Sequence, residues 1–237
     1  MIVKNDLFDY QSRYIFQDTD GFKFSLDSIL LAEFINKRSK AETIIDMCAG
    51  NMAVPLIYST YTSKSIVGFE IQENIYELGK QSIEYNQLNN QLKIINDDIK
   101  NIGNYYNKSS IDMFICNPPY FAYNDQNYIN TSNYKSLARH ELTLSLEDIF
   151  IIAKDYLKQK GELYLVHRAS RLDEIIYYGF KYQVNVKKIQ LISTKEGNKP
   201  SIVLVLCQRS SKPSIIINHE LCIQNVNTYQ NIFEEEK

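Results

Sequence analysis

Tryptophan is absent from the 237-residue chain, and glycine and proline are scarce, at 8 and 5. That scarcity excludes collagen-like and low-complexity architectures, which draw heavily on both. The four cysteines, Cys48, Cys116, Cys207 and Cys222, form no C-x-x-C pair. Three of them sit inside apolar runs, so they read as free buried thiols in a reducing compartment rather than metal ligands or disulfides. No apolar run approaches a membrane-spanning length, and the N-terminus has no apolar leader core. This is the pattern expected of a cytoplasmic protein. A charge excess is also missing: 26 Lys and Arg against 28 Asp and Glu leave a net charge of −2. A nucleic-acid binder that is basic all over is thereby excluded, but a local basic patch is not.

What is present suffices for a core. Hydrophobic residues make up 44% and charged residues 23% of the chain. A chain of this size buries roughly 70% of its unfolded surface and folds without disulfide or metal. Tyrosine is abundant, at 18, beside many Ile, Asn and Lys residues. This is the composition of an AT-rich coding sequence, in which glycines expected in a motif are open to replacement.

The apolar pattern alternates between two periods. Helical spacing over 26–36 precedes a short β-branched run at 43–47. A helix at 53–60, a strand at 65–70, a helix at 73–89 and a strand at 92–96 follow. The polar stretch KNIGNYYNKSS leads to a strand at 111–117. Residues 121–144 have no clear period and read as a long functional loop. A helix at 145–158, a strand at 161–167 and a helix over LDEIIYYGF come next. Two strands, VNVKKIQLI and SIVLVLCQ, flank the turn-rich TKEGNKP, and SIIIN (214–218) pairs at an edge. Strands alternating with helices imply an α/β fold: a doubly wound, mostly parallel seven-stranded Rossmann-like sheet with an antiparallel C-terminal strand. No linker or repeat divides the chain. It reads as one domain from about residue 20 onward, with 1–20 and 208–237 as terminal extensions.

In such a sheet ligands bind at the carboxyl ends of the strands. Four ends here are polar: Asp46, Glu70, Asp97/Asp98 and Asn117. The first continues as DMCAGNMA (46–53), a nucleotide-type loop in which only Gly50 remains of the usual glycines. Glu70 ends the next strand, where a carboxylate accepts from both hydroxyls of a ribose; the plainer reading is a solvated strand end. Asp98 accepts from an adenine amine, or else caps a turn or helix.

The fourth end reads NPPY (117–120). Two prolines hold an extended backbone without N–H donors. Outward carbonyls and the Asn117 oxygen are acceptors, and Tyr120 is a flat stacking face. Acceptors beside an aromatic plate suit a planar substrate with an NH2 group.

On these residues the chain resembles class I S-adenosylmethionine-dependent methyltransferases of the amino-methylating type, whose signature is (D/N)PP(Y/F/W) after the fourth strand. More narrowly, it resembles the bacterial tRNA1(Val) adenine-37 N6-methyltransferases. The resemblance runs through FKFSLDSILLAEF (22–34), DMCAGNMAVPL (46–56), GFEIQ (68–72), NPPYF (117–121), ARHE (138–141), VHRASRLDEI (166–175) and the stretch at 194–205. ARHE and VHR-x-x-RL narrow it beyond NPPY. It implies that Asp46, Cys48, Gly50, Glu70, Ile71, Asp98 and Asn117 hold S-adenosylmethionine, with Ser25 and Asp27 approaching it. It implies that Asn117, Pro118, Pro119 and Tyr120 hold the adenine. It implies a tRNA substrate met by Arg139, His140, Arg168, Arg171 and Lys195, with no metal, no membrane and no oligomer required. Met52 stands where a glycine is usual and departs from the pattern. Alternatives are methylation of a protein glutamine amide, of guanine N2 or of DNA adenine, and a non-catalytic RNA- or cofactor-binding module.

Overall fold

In the computed structural model, residues 1–7, 10, 13–18, 25–119 and 144–233 are described. The β-branched runs form strands because alternating side chains pack both faces of a pleat. Three parallel strands, β3 (Ile44–Asp46), β4 (Ile66–Phe69) and β5 (Leu92–Ile95), make one half of the main sheet. The other half runs outward from β6 (Ile111–Cys116) through β7 (Leu157–Arg168) and β9 (Ile202–Arg209) to β8 (Val184–Ser193). Here β9 inserts antiparallel between β7 and β8. Two short strands, β10 (Ile216–Ile217) and β11 (Leu221–Cys222), pair in succession with the outer edge of β8.

Among the described residues the expected seven-stranded sheet is thus extended to nine strands. The edge expected over 214–218 contributes only Ile216 and Ile217, because those two alone come into register with Lys188 and Ile189.

Alternation splits the core between the two faces. Ile44, Met113, Ile115, Tyr164 and Val166 face α1 (Leu26–Phe34) and α2 (Ala53–Tyr58). Ile45, Phe114, Cys116, Leu163 and Leu165 face the helices at Leu146–Tyr156 (α4) and Leu172–Lys181 (α5). Between them in sequence, α3 (Glu73–Tyr85) connects β4 to β5. The start of α4 is fixed by a capping box: Ser145 Oγ accepts from the Asp148 N–H at 3.1 Å, and Asp148 Oδ2 accepts from the Ser145 N–H at 2.9 Å.

Residues 1–20 are more than an extension. They contain an antiparallel hairpin, β1 (Ile2–Asp6) with β2 (Tyr14–Asp18). Leu7, Tyr10 and Ile15 are fully buried in the same core as α1 and α2. The hairpin escapes a sequence reading because IVKND and YIFQD alternate too weakly. Their apolar partners lie on α3, where Tyr14 and Phe16 set their rings edge-on to Tyr85.

Among the described residues, no helix is long and apolar enough to cross a membrane, and no group of three His, Cys, Asp or Glu is placed to hold a metal ion. Cys116 and Cys207 are buried, Cys48 and Cys222 half-buried, and all four are free thiols.

Candidate functional site

Strand order reverses between β3 and β6, and the carboxyl ends meet there. Register places Asp46 beside Gly68 on one side and Ile115 on the other. Cys48, Glu70 and Asn117 follow on the ends of these three neighbouring strands.

The loop leaving β3 is held by backbone bonds to its two neighbouring strands and by side-chain bonds of Asp46, Glu70 and Asn51. The Met47 N–H donates to the Ile115 carbonyl at 2.8 Å, and the Ala49 N–H to the Phe69 carbonyl at 2.9 Å. Gly50 adopts φ 54° and Met52 φ 71°, both left-handed. A non-glycine residue in that conformation is strained by roughly 1–2 kcal/mol. The Met52 side chain is fully buried and offsets the strain by packing. A Cβ on Gly68 would lie 2.7 Å from the Met52 sulfur, and one on Gly79 would lie 3.2 Å from its Cγ. Glycine missing from the loop is thus matched by glycine on β4 and α3, and the turn survives.

Two buried carboxylates close the floor. Asp46, 1% exposed, accepts from the Cys48 N–H at 3.2 Å. Glu70, 8% exposed, accepts from the Gly50 N–H at 3.0 Å through one oxygen and from the Gln72 N–H at 2.8 Å through the other. Burial pushes the Asp46 carboxyl up to about 7, and the charge of Glu70 adds to the rise. Glu70 is also raised, again by burial, against the pull of its backbone donors. Among the described residues neither carboxylate forms an ion pair. A buried pair of this kind suits a ligand that brings positive charge and hydroxyl donors. The Cys48 thiol lies against that of Cys116 and is pushed well up, first by that contact and then by burial, so it is not a nucleophile. Ile71, 42% exposed, is an apolar side chain beside the carboxylates.

Asp98 caps the 3-10 helix Ile99–Asn104 by accepting from the Lys100 N–H at 2.9 Å. The neighbouring Asp97 accepts from Asn101 and from the Tyr105 hydroxyl.

At the end of β6, the Asn117 amide nitrogen donates to Ser28 Oγ of α1 at 3.0 Å. This turns the oxygen of the same amide away from α1. Ser28 is 4% exposed and was not legible as a site residue; its only sequence signal is a hydroxyl on the apolar face of a helix. Pro118 is buried and Pro119 half-buried. Ser25, exposed, is the N-cap of α1, and Asp27 lies in that helix's first turn.

Of the expected RNA contacts, Arg168 is exposed at the carboxyl end of β7, and Lys195 is exposed in the turn after β8. Arg171 donates to both carboxylate oxygens of Glu174 through Nε and Nη2, Nη2 to Oε2 measuring 2.9 Å. His167 is 3% exposed, and burial followed by the charges of Arg171 and Arg168 pushes its imidazole down to about 4. The expectations for Tyr120, Arg139, His140 and the loop at 121–144, apart from Leu144, lie outside the described residues.

Comparison with known proteins is consistent across sequence and fold. The family model described as Methyltransferase small domain matches residues 23–190. The chain is 22% identical over 224 residues to a tRNA1(Val) (adenine(37)-N6)-methyltransferase of Bacteroides thetaiotaomicron, covering 94% of this chain and 88% of the relative. It is 25% identical to the protein of the same name from Aliivibrio salmonicida, covering 90% and 88%. In fold it is similar to a predicted O-methyltransferase of Agrobacterium tumefaciens, with TM-score 0.65, 17% identity and coverage of 86% and 91%. It is also similar in fold to TYW2 of M. jannaschii in complex with AdoMet, with TM-score 0.54, 16% identity and coverage of 88% and 84%.

Proposed function

The chain belongs to the methyltransferase small domain family, and from that premise we propose that it transfers a methyl group from S-adenosylmethionine to the exocyclic N6 of an adenine in tRNA. The most specific target this reading names is A37 of tRNA1(Val), after the relatives that carry that name at 20–25% identity. One observation supports it above the others. Two buried carboxylates without an ion-pair partner among the described residues end β3 and β4, and Asn117-Pro118-Pro119 leaves the adjacent β6 with the Asn117 amide oriented by Ser28.

S-adenosylmethionine, when bound, supplies a methyl group already activated on a sulfonium. The residues at the floor fit it: Glu70 suits the ribose hydroxyls, Asp46 the cationic end, and Ile71 an apolar ring face. Ser25 and Asp27 approach from α1, and Asp98, one oxygen of which caps the 3-10 helix, accepts from the adenine amine of the cofactor through the other.

Adenine N6 is a poor nucleophile because its lone pair is delocalised into the ring. The Asn117 oxygen and the Pro118 carbonyl accept its two protons. That favours a more tetrahedral nitrogen and stabilises the positive charge that develops on it in the transition state. Alignment does the rest. The base leaves its stack to enter the pocket, and Tyr120 serves as its new stacking face. Arg168 and Lys195 rim the approach, with Arg139 and His140 assigned to it by resemblance.

The test is incubation of unmodified tRNA transcripts with labelled S-adenosylmethionine, followed by digestion to nucleosides. N6-methyladenosine is expected. Label in N2-methylguanosine, or in protein alone, would reject the assignment. In Asn117→Ala turnover should vanish while S-adenosylhomocysteine still binds; an active variant would sink this mechanism.

A further inference from the structure

Asn51 sits between the two left-handed residues of the β3–α2 loop, Gly50 and Met52. It is 1% exposed. Its amide nitrogen donates to the Phe16 carbonyl of β2 at 2.9 Å. Its amide oxygen is buried, with no hydrogen-bond partner among the described residues. An orphaned acceptor is unfavourable in the interior, and an apolar residue of the same shape would avoid it. What the site uses is therefore the donor, and the donor reaches the N-terminal hairpin.

That hairpin is itself fastened. The Phe16 N–H donates to Ser82 Oγ of α3 at 3.0 Å. The Tyr14 N–H donates to the Asn86 side chain at 3.0 Å, and the Asn86 amide donates back to the Tyr14 carbonyl at 2.6 Å. A chain of contacts thus runs from α3 through β2 to Asn51. One residue away, the Gly50 N–H is held by Glu70.

We propose that Asn51 is a positioning residue through which the docked N-terminal hairpin holds the cofactor loop in its binding conformation. The identity of the loop rests on the methyltransferase reading above. The physical need is local: a loop with two left-handed residues, one of them not glycine, has little intrinsic preference for its shape, so an outside tie selects it. The hairpin thereby becomes part of the site, although its strands belong to a separate sheet and none of its residues stands at a carboxyl end of the main sheet.

Two readouts separate the proposal from the reading it rests on. The first is amide hydrogen exchange of residues 47–52 in the protein without ligand. Asn51→Ala should speed exchange at Gly50 severalfold; an unchanged rate overturns the proposal whether or not cofactor binds. The second is calorimetric titration with S-adenosylhomocysteine. Loss of one such hydrogen bond should weaken binding roughly five- to tenfold, with turnover at saturating S-adenosylmethionine retained. Ser82→Ala, which loosens β2 from α3, should weaken binding in the native background and add nothing on top of Asn51→Ala. Additive effects, or a lower melting temperature with unchanged affinity, overturn the proposal. If the native protein fails to bind S-adenosylhomocysteine, the methyltransferase reading falls while the exchange result still decides the role of Asn51.

Discussion

Asp46 carries the clearest pH signature at the scale of single residues. Its carboxyl is pushed up to about 7 by burial, with Glu70 adding to the rise, against about 3.9 in an unfolded chain. The folded state therefore holds an extra proton between those two values. The stability this group contributes is greatest at the acid end of that window. It falls as pH rises through the window, by about 1.4 kcal/mol for each pH unit crossed. His167 acts in the opposite sense: its folded value, pushed down to about 4 by burial, removes stability as pH falls below about 6.5. The readout is thus the difference in urea midpoint between the native protein and Asp46→Asn, in which the His167 effect cancels. The native protein should gain steadily on the variant as pH falls from 7 to 4, and a constant difference would refute the assignment. The ammonium group at the ligand's amino-acid end favours the ionised carboxylate, so affinity for S-adenosylhomocysteine should climb toward pH 7 in the native protein and lose that climb in Asp46→Asn.

Met52 and Gly68 form a second residue-scale case. In Gly68→Ala the new Cβ lies 2.4 Å from Ala49 Cβ and 2.7 Å from the Met52 sulfur. Overpacking of this kind costs roughly 1–3 kcal/mol. Chemical denaturation should show it, and Met52→Ala added to the same chain should recover part, since the Ala49 contact remains. Full recovery would mean that Ala49 yields and the loop is soft.

At the scale of elements, the two chain ends both return to the core. The C-terminal residues reach α1, where the Asn231 N–H donates to Glu33 Oε2 at 2.7 Å and Phe233 packs edge-on to Phe34 at 5.8 Å between ring centroids. The Glu33 side chain is wholly buried and is also held by Lys37 at 2.9 Å and by the Tyr61 hydroxyl at 2.7 Å. Removing residues after Thr228 takes away one donor to a buried carboxylate, the Lys37–Asn231 hydrogen bond and the packing of Tyr229 and Phe233 on the core. A loss of about 2 kcal/mol in stability is expected, with unchanged affinity for S-adenosylhomocysteine, because this strap lies off the strand ends that form the site. Elements with a continuous apolar, β-branched run, such as IVLVLCQR, or with helical period, such as LEDIFIIAKDY, were legible in sequence. Elements that borrow their apolar partner were not: the hairpin needs α3, and β7 begins at Leu157 only because that residue pairs with Ile111.

For the whole molecule, a net charge of −2 is compatible with RNA binding when the cations gather on one side. Arg168 and Lys195 are exposed at the carboxyl ends of their strands, whereas Asp46 and Glu70 are buried. Affinity for tRNA should be modest and salt-sensitive. Removing Arg168 or Lys195 should reduce the slope of log affinity against log salt by about 0.7–0.9 each. Arg171→Ala should change it less, because Glu174 already neutralises that guanidinium. Filter binding across a salt series measures all three, and a slope unmoved by Arg168→Ala would remove it from the interface.

The sequence alone determined the α/β class, the alternation of its strands and helices, and the strand-end residues Asp46, Glu70 and Asn117, because periodicity and the chemistry of strand termini are local properties. Tertiary structure decided what depends on distant segments. Gly68 and Gly79 make room for Met52, Ser28 turns the Asn117 amide, and Asn51 reaches β2. Each of these joins residues far apart in the chain, so a pattern read along one dimension carries no trace of the contact.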